Sequence, residues 1–190
     1  SRIPFLVYAP GVVKPGTVVR EALGNVDFKP TMLALMGVQN PPGDEGRNAA
    51  ALFRDGRAPA GWEDLAFIRI GGPRTAAAAE EGENAVGGGW MGAFSRRHKF
   101  VVAADGAPSL FDLETDPDEL HNVFDEPAHR ETVRRLARAL HGYAERHGEP
   151  HLKAARVKAD LEWAMSEAGR YPRPMDAAPA EKAKKRKKQK

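Results

Sequence analysis

Residues 97–113 constrain the fold more than any other stretch. Arg97-His98-Lys99-Phe100-Val101-Val102-Ala103 and Ser109-Leu110-Phe111-Asp112-Leu113 both have strand composition, and Asp105-Gly106 stands between them. Asp-Gly accommodates positive φ readily, so the pattern predicts an antiparallel β-hairpin with a five-residue connection. After Asp116-Pro117 the chain turns toward a helix, with Asp125 as the expected cap and Pro127 in the first turn. Val133, Leu136, Leu140 and Tyr143 then recur at helical spacing as one apolar stripe, closed by His147-Gly148-Glu149-Pro150. A further helix is predicted over Leu152–Ala168, presenting Val157, Leu161, Ala164 and Ala168. A hairpin followed by an amphipathic helix makes this half an α+β subdomain with a small antiparallel sheet and a packing helix.

The first third reads differently. Ile3-Pro4-Phe5-Leu6-Val7-Tyr8 has the length and residue content of a strand, ended by Ala9-Pro10-Gly11. Its nearly continuous apolar character predicts burial on both faces, as in a parallel sheet between helix layers. Val12–Val19 is a loop punctuated by Pro and Gly. Asp27 is the expected N-cap of a helix with Pro30 in its first turn, Phe28, Met32, Leu35 and Met36 on one face, and Gly37 as its stop. Residues 39–62 are rich in Gly, Pro and charge, with a short helix possible over Asn48–Phe53. Leu65–Ile70 reads as a second strand, ended by Gly71-Gly72-Pro73. Residues 74–89 read as a mobile loop or a frayed helix, and no Gly-Lys-Ser/Thr follows their glycines to make a phosphate loop.

Charge is unevenly placed along the 190 residues. The net charge is +3, yet residues 176–190 carry seven positive groups and two negative ones. The remainder holds 22 positive and 24 negative groups, a net of −2, so the globular part is nearly neutral and does not have the footprint of a basic nucleic-acid fold. The lysine-rich end reads as a disordered tail, capable of weak, salt-dependent contact with polyanions that deletion of 180–190 should abolish. Cysteine is absent, which excludes a disulfide scaffold, thiolate metal sites and a Cys nucleophile in this chain. No apolar run approaches the roughly 18 residues of a membrane-spanning helix, and no signal-peptide pattern opens the sequence. Starting directly on a strand, the chain reads as a fragment.

Three stretches, in order, resemble the C-terminal part of the sulfatase family, the calcium-dependent enzymes that use formylglycine. Arg2-Ile3-Pro4-Phe5-Leu6-Val7 through Ala9-Pro10-Gly11, with Lys14-Pro15-Gly16, looks like the family's Arg-[Val/Ile]-Pro strand and Pro-Gly loop. Asn25-Val26-Asp27 through Pro30-Thr31 to Leu35-Met36-Gly37-Val38 resembles its Val-Asp-x-x-Pro-Thr helix. Arg97-His98-Lys99, Leu110-Phe111-Asp112-Leu113 and Asp116-Pro117-x-Glu119-x-x-Asn122 resemble its closing hairpin and Asp-Pro turn. The likeness covers roughly residues 2–147, with a gap at 54–90. It implies an α/β class at the end of an alkaline-phosphatase-like sulfatase fold. Residues 1–53 would supply the last strand–helix elements of the large domain, 54–90 a variable insert and 91–150 the hairpin-plus-helix subdomain. Residues 151–175 would be a helical extension and 176–190 the basic tail.

The resemblance also implies what this chain lacks. The family's nucleophile is made from Cys or Ser in a Cys/Ser-x-Pro-x-Arg motif, and none of Ser1, Ser95, Ser109 or Ser166 has Pro two positions later. The family's calcium ligands and sulfate-holding residues belong upstream, so no catalytic or metal residue is expected here. Ca²⁺ and formylglycine are expected only in a full-length parent. His98, where the family usually has an aromatic before Lys, is the candidate pocket-rim contact to an anionic substrate, with Arg97 and Arg96 adding attraction for a tetrahedral oxyanion. The competing reading of His98 is a partly buried strand residue. Phe94 stands where many sulfatases carry Arg. Glu114, Asp116, Asp118 and Glu119 lack calcium-loop spacing and are read as a turn. His147 and His151 are separated by Gly148 and Pro150, which break the helix that zinc spacing needs. Trp62, Trp90 and Trp163 are read as packing residues.

The functional expectation is the C-terminal portion of a sulfuric ester hydrolase, completing the sheet and bordering the substrate cleft, with the catalytic centre outside this chain. Its partner would be the N-terminal catalytic part, and its substrate a sulfated small molecule or glycan. Members of the family are often exported. The alternative is a non-catalytic binding or assembly module with a polyanion-binding tail.

Overall fold

The structure is a computed structural model that describes residues 3–71, 89–166 and 169–175. The expected loop at 74–89 falls almost wholly outside the described residues, as do Ala168 and the basic tail at 176–190. The chain divides into two compact units, residues 1–66 and 67–190.

The first unit is built on two short helices, α1 (Phe28–Leu35) and α2 (Ala50–Asp55), with a 3-10 turn over Asn25–Asp27 leading into α1. Its core is Leu35, Ala49, Ala50, Leu52 and Phe53, against which Val7, Val13, Val19, Leu23, Met32, Ala34 and Trp62 pack. Pro30 and Thr31 are buried in the first turns of α1, and Thr31 Oγ1 accepts the Ala49 N–H at 3.0 Å, tying the entry of α2 to α1. Gly37 takes φ +73° just past the helix, and the Val38 N–H reaches back to Leu33 O at 2.8 Å. That is the predicted left-handed stop. Gly46 is fixed by close approach instead: a Cβ there would lie 1.8 Å from Val26 O, so no side chain fits without moving the backbone.

Two expectations for this unit are corrected. Ile3–Tyr8 forms no strand; it runs as irregular chain with Leu6 95% and Tyr8 93% exposed. No described strand lies beside it to take its backbone hydrogen bonds, so apolar content alone does not make it a sheet element. Phe5 nonetheless packs its ring on Phe28 (5.1 Å) and Phe53 (5.8 Å). The expected apolar face of α1 is also only partly right. Leu35 is buried, but Phe28 and Met36 are 51% and 67% exposed, and the buried side is completed by Pro30 and Thr31.

The second unit is a four-stranded sheet in the order β1-β2-β3-β4, covered on one face by two helices. The strands are β1 (Ala66–Ile70), β2 (Trp90–Phe94), β3 (His98–Ala103) and β4 (Ser109–Asp112). The helices are α3 (Arg130–Arg146), entered by a 3-10 turn at Pro127–His129, and α4 (Ala155–Met165), entered by another at Pro150–Lys153. The hairpin is antiparallel as predicted, with Phe100 opposite Leu110 and His98 opposite Asp112. Directly opposed residues share a face. Met91 with Val102, and Ala93 with Phe100 and Leu110, therefore line the buried side, while Phe94, Lys99 and Phe111 line the other.

Val133, Leu136, Ala137, Leu140 and Ala144 of α3 are at most 1% exposed, and Val157, Leu161 and Ala164 of α4 are wholly buried. The predicted stripe on α3 is thus the core, except that Tyr143 lies at its margin, stacked on Phe67 at 4.3 Å. Phe124, Trp163 and Tyr171 meet as a triad with centroids 5.0–5.3 Å apart. Asp125 does not cap α3; its carboxylate accepts the Tyr171 N–H at 2.7 Å instead.

Candidate functional site

The turn between β2 and β3 fixes the start of β3. Ser95 N donates to His98 O at 2.8 Å, and Ser95 Oγ accepts the His98 N–H at 2.9 Å. The two predicted residues are therefore neighbours on a rigid turn, but they do different things. Arg97 forks over Asp112, with Nε 3.1 Å from Oδ1 and Nη2 2.9 Å from Oδ2, and its Nη1 lies 3.0 Å from Glu114. The hydrogen bonds from Arg97 hold the buried Asp112 carboxyl well below the usual range, at about 2. Those hydrogen bonds in turn raise the Arg97 pKa. Arg97 is thus half-exposed but paired with two carboxylates.

His98 has the same strand parity as Phe100 and Val102, so it stands on the helix-facing side of the sheet at its rim. Its ring is half-buried, 6.4 Å from that of His129 at the start of α3. Burial, foremost, lowers its pKa; the positive charges of Arg97, Arg135 and His129 act in the same direction, against Asp112. His129 and Arg135 escaped the sequence reading because only the packing of α3 on the sheet brings them to β3.

Asp116, Glu119 and Glu114 of the acidic cluster turn to separate partners. The Asp116 carboxylate accepts the Leu120 and His121 N–H groups at 3.1 and 2.8 Å, and these bonds lower its pKa. Glu119 takes Lys99, and Glu114 takes Arg97. Asn122 completes the motif: its Oδ1 accepts the N–H groups of Leu110 (3.0 Å) and Phe124 (3.1 Å), and its Nδ2 donates to Pro108 O. Residues 116–122 thus seal the hairpin edge. His147 and His151 do not converge. The first packs on Tyr143 at 4.3 Å; the second is wholly buried, with Nδ1 2.6 Å from Glu149 Oε1. Among the described residues no group of three His, Cys, Asp or Glu side chains is placed to hold a metal ion. No helix among them is long and apolar enough to cross a membrane.

The three tryptophans lie apart in packing roles: Trp62 under Arg47 at 4.0 Å, Trp163 under Arg130 at 3.9 Å, and Trp90 beside Phe94.

No model of a protein family matches the chain. Curated proteins do. Arylsulfatase K of Xenopus laevis is 35% identical over 126 residues, 65% of this chain and 22% of that protein. Arylsulfatase K of Mus musculus is 34% identical over 124 residues, 64% of this chain and 21% of that one. The chain therefore spans about a fifth of the length of these relatives. Among solved structures, a phosphonate monoester hydrolase from Silicibacter pomeroyi matches with TM-score 0.54 and 28% identity, covering 76% of this chain and 29% of that one. BT4656, solved with its substrate D-glucosamine-2-N,6-O-disulfate, matches in fold with TM-score 0.53 and 23% identity, over 66% of this chain and 25% of that one. The resemblance to the C-terminal part of the sulfatase family, and the α/β class with its antiparallel sheet and packing helices, are thereby borne out.

Proposed function

We propose that this chain is the C-terminal portion of a sulfuric ester hydrolase, where it completes the sheet and borders the cleft that holds the ester. The observation that carries this reading is the identity to arylsulfatase K over some two thirds of the chain. The nucleophile and Ca²⁺ would belong to the part of the enzyme this chain does not contain. Placing the Ca²⁺ there is supported by the engagement of Asp116, Glu119 and Glu114, among the described residues, with backbone N–H groups, Lys99 and Arg97. The partner would be the N-terminal catalytic part, and the substrate a sulfated small molecule or glycan. The exposed Ile3, Leu6 and Tyr8 support that partner, since an apolar, strand-like segment gains most by pairing into an adjoining sheet. His98 would face the substrate, with Arg97 beside it on the same turn, where Asp112 and Glu114 hold its guanidinium.

The likeness to a phosphonate monoester hydrolase favours a second reading, in which the parent cleaves a phosphonate ester instead. The experiment is to read the coding sequence ahead of Ser1, express the continuous frame and assay it on a chromogenic aryl sulfate and an aryl phosphonate ester. An in-frame Cys/Ser-x-Pro-x-Arg motif with sulfate turnover supports the proposal. Turnover of the phosphonate alone transfers it to the second reading. A start codon directly before Ser1, or aryl-sulfate turnover by the isolated chain free of contaminating enzyme, overturns it.

A further inference from the structure

Past α4, residues 169–175 form no helix or strand, and Arg170 and Pro172 lie exposed, yet Tyr171 between them is only 4% exposed. Its ring meets Phe124 and Trp163 edge to face, with centroids 5.3 and 5.0 Å away, and Phe124 is itself wholly buried. The Tyr171 hydroxyl donates to Asp160 Oδ1 at 2.6 Å, and its backbone N–H donates to Asp125 Oδ1 at 2.7 Å. Arg173 Nη1 lies 2.8 Å from the same Asp160 oxygen, and Arg170 Nε lies 3.6 Å from Asp125 Oδ2. Asp160 is wholly buried, and burial raises its pKa against the pull of Tyr171, Arg173 and Arg156. Burial and the bond to Asp160 raise the Tyr171 pKa as well, so the phenol stays protonated and remains the donor. A segment held by one inserted ring and flanking charges, rather than by a backbone ladder, is bound as a peptide ligand is bound.

We propose that Phe124, Asp125, Asp160 and Trp163 form a recognition site for an arginine-flanked tyrosine, filled here by the chain's own residues 170–173 and open to the same segment of a second copy once that strap lifts. Asp160 and Trp163 stand three apart on α4 and share a face, and Phe124-Asp125 lead into α3, so every wall of the site precedes the strap in the chain. The ring supplies apolar burial, which any aromatic could supply. The hydroxyl supplies selection: without it a wholly buried carboxylate loses a hydrogen-bond donor, so the site favours Tyr over Phe. The carboxylates select cationic flanks. Arg173 is the stronger of the two, because its partner is buried whereas Arg170 is 92% exposed. Tethering holds the strap beside the site at an effective concentration on the order of millimolar. The intact chain therefore fills its own site, and a second copy enters only those molecules whose strap has opened. The inference stands on the second unit alone and does not depend on the sulfatase reading.

The test begins with the wild-type full chain. Under conditions where amide exchange reports equilibrium opening, the Tyr171 amide is expected to exchange about tenfold or more faster than that of Val102 on the inner strand β3. Equal protection would make the strap part of the sheet's own cooperative unit and overturn the proposal. The second arm uses full-length Tyr171→Ala and, as probe, the synthetic peptide Gly-Arg-Tyr-Pro-Arg-Pro-Met, the sequence of residues 169–175, followed by the Trp163 indole N–H signal in NMR. The peptide should bind this variant saturably, and should bind wild type about tenfold or more weakly, since the wild-type strap competes. Phe in place of the peptide's Tyr should weaken binding about tenfold. Ala in the same place should abolish it. No saturable binding, equal binding to wild type, binding that the Ala peptide matches, or loss of the Val102 and Leu110 sheet signals in Tyr171→Ala itself, overturns the proposal.

Discussion

The Arg47 guanidinium and the Asp27 carboxylate meet at two points, Nη2 to Oδ2 at 2.7 Å and Nε to Oδ1 at 3.3 Å. The Arg47 backbone N–H adds a third bond to Oδ1 at 2.7 Å. Gly24 N–H donates to the other oxygen at 2.9 Å, and Arg47 goes on to Glu63 O at 2.6 Å while its guanidinium stands 4.0 Å from the Trp62 ring centroid. One buried carboxylate therefore joins the 3-10 turn before α1 to the loop before α2, and these bonds outweigh its burial to lower its pKa. The Asp of the Val-Asp-x-x-Pro-Thr stretch is a hub rather than a cap.

Replacing Asp27 with Ala should accordingly cost the first unit about 2–4 kcal/mol, because it orphans two backbone N–H groups and strips a charge partner from Arg47. A cap role alone would cost about 1 kcal/mol. Urea unfolding followed by Trp62 fluorescence, with Trp90 and Trp163 replaced by Phe, distinguishes the two. A loss of about 1 kcal/mol or less returns Asp27 to the role of a cap.

Asp112 makes a prediction about acid. Its pKa is depressed in the folded chain, to about 2, chiefly by the Arg97 hydrogen bonds. A depressed carboxyl stabilises the fold fully above its unfolded value of roughly 3.9, and that contribution fades as pH falls toward 2. Stability of the wild-type chain should therefore decline between about pH 4 and 2, and Asp112→Asn should be weaker at pH 7 with a flatter acid limb. Thermal unfolding at pH 7, 4 and 2.5 measures it. Parallel acid limbs in the two proteins would exclude Asp112 as the titrating group.

Much of this was legible in the sequence, and the exceptions share a cause. The hairpin appeared where Asp-Gly and two apolar runs placed it, and α3 followed its stripe, because both depend on contacts close in sequence. β2 went unread: Trp90-Met91-Gly92-Ala93-Phe94 has a glycine at its centre, which propensity counts against a strand. In the fold that glycine is required, since a Cβ on it would lie 2.6 Å from Phe100 O. Ile3–Tyr8 failed the opposite way, having strand composition but no described neighbour to pair with. At the candidate site, His98 and Arg97 were visible as adjacent cationic residues. That Arg97 is tied to Asp112 and that His129 stands beside His98 depend on register and helix packing, which spacing does not reveal.

Asn122 gives a local prediction. Its side-chain oxygen is the shared acceptor for the Leu110 and Phe124 amides, so Asn122→Ala leaves both without that partner at the edge of β4. The expected loss is about 2 kcal/mol, from two hydrogen bonds at roughly 1 kcal/mol each. Amide exchange should accelerate at Leu110 and Phe124 more than at Val102, on the inner strand. Uniform acceleration across the sheet would show that Asn122 acts on global stability instead.

Gly89 tests the buried end of the sheet. His151 is wholly buried; its Nδ1 faces Glu149, whose other oxygen lies 3.3 Å from Arg69 Nε, and its Nε2 has no hydrogen-bond partner among the described residues. That nitrogen is close to Gly89: a Cβ there would lie 2.3 Å from it and 2.7 Å from Ile70 O. The imidazole is held by Glu149 on one side and the backbone oxygen belongs to the end of β1, so neither yields cheaply. Gly89→Ala should therefore destabilise the second unit by about 1–3 kcal/mol, the usual range for overpacking. If the clash with the ring dominates, Gly89→Ala combined with His151→Ala should be less destabilised than the two losses summed, by about 1 kcal/mol or more. Strict additivity would assign the cost to the Ile70 carbonyl alone, and a stable Gly89→Ala protein would show that β1 and β2 separate more easily at this end than their packing implies.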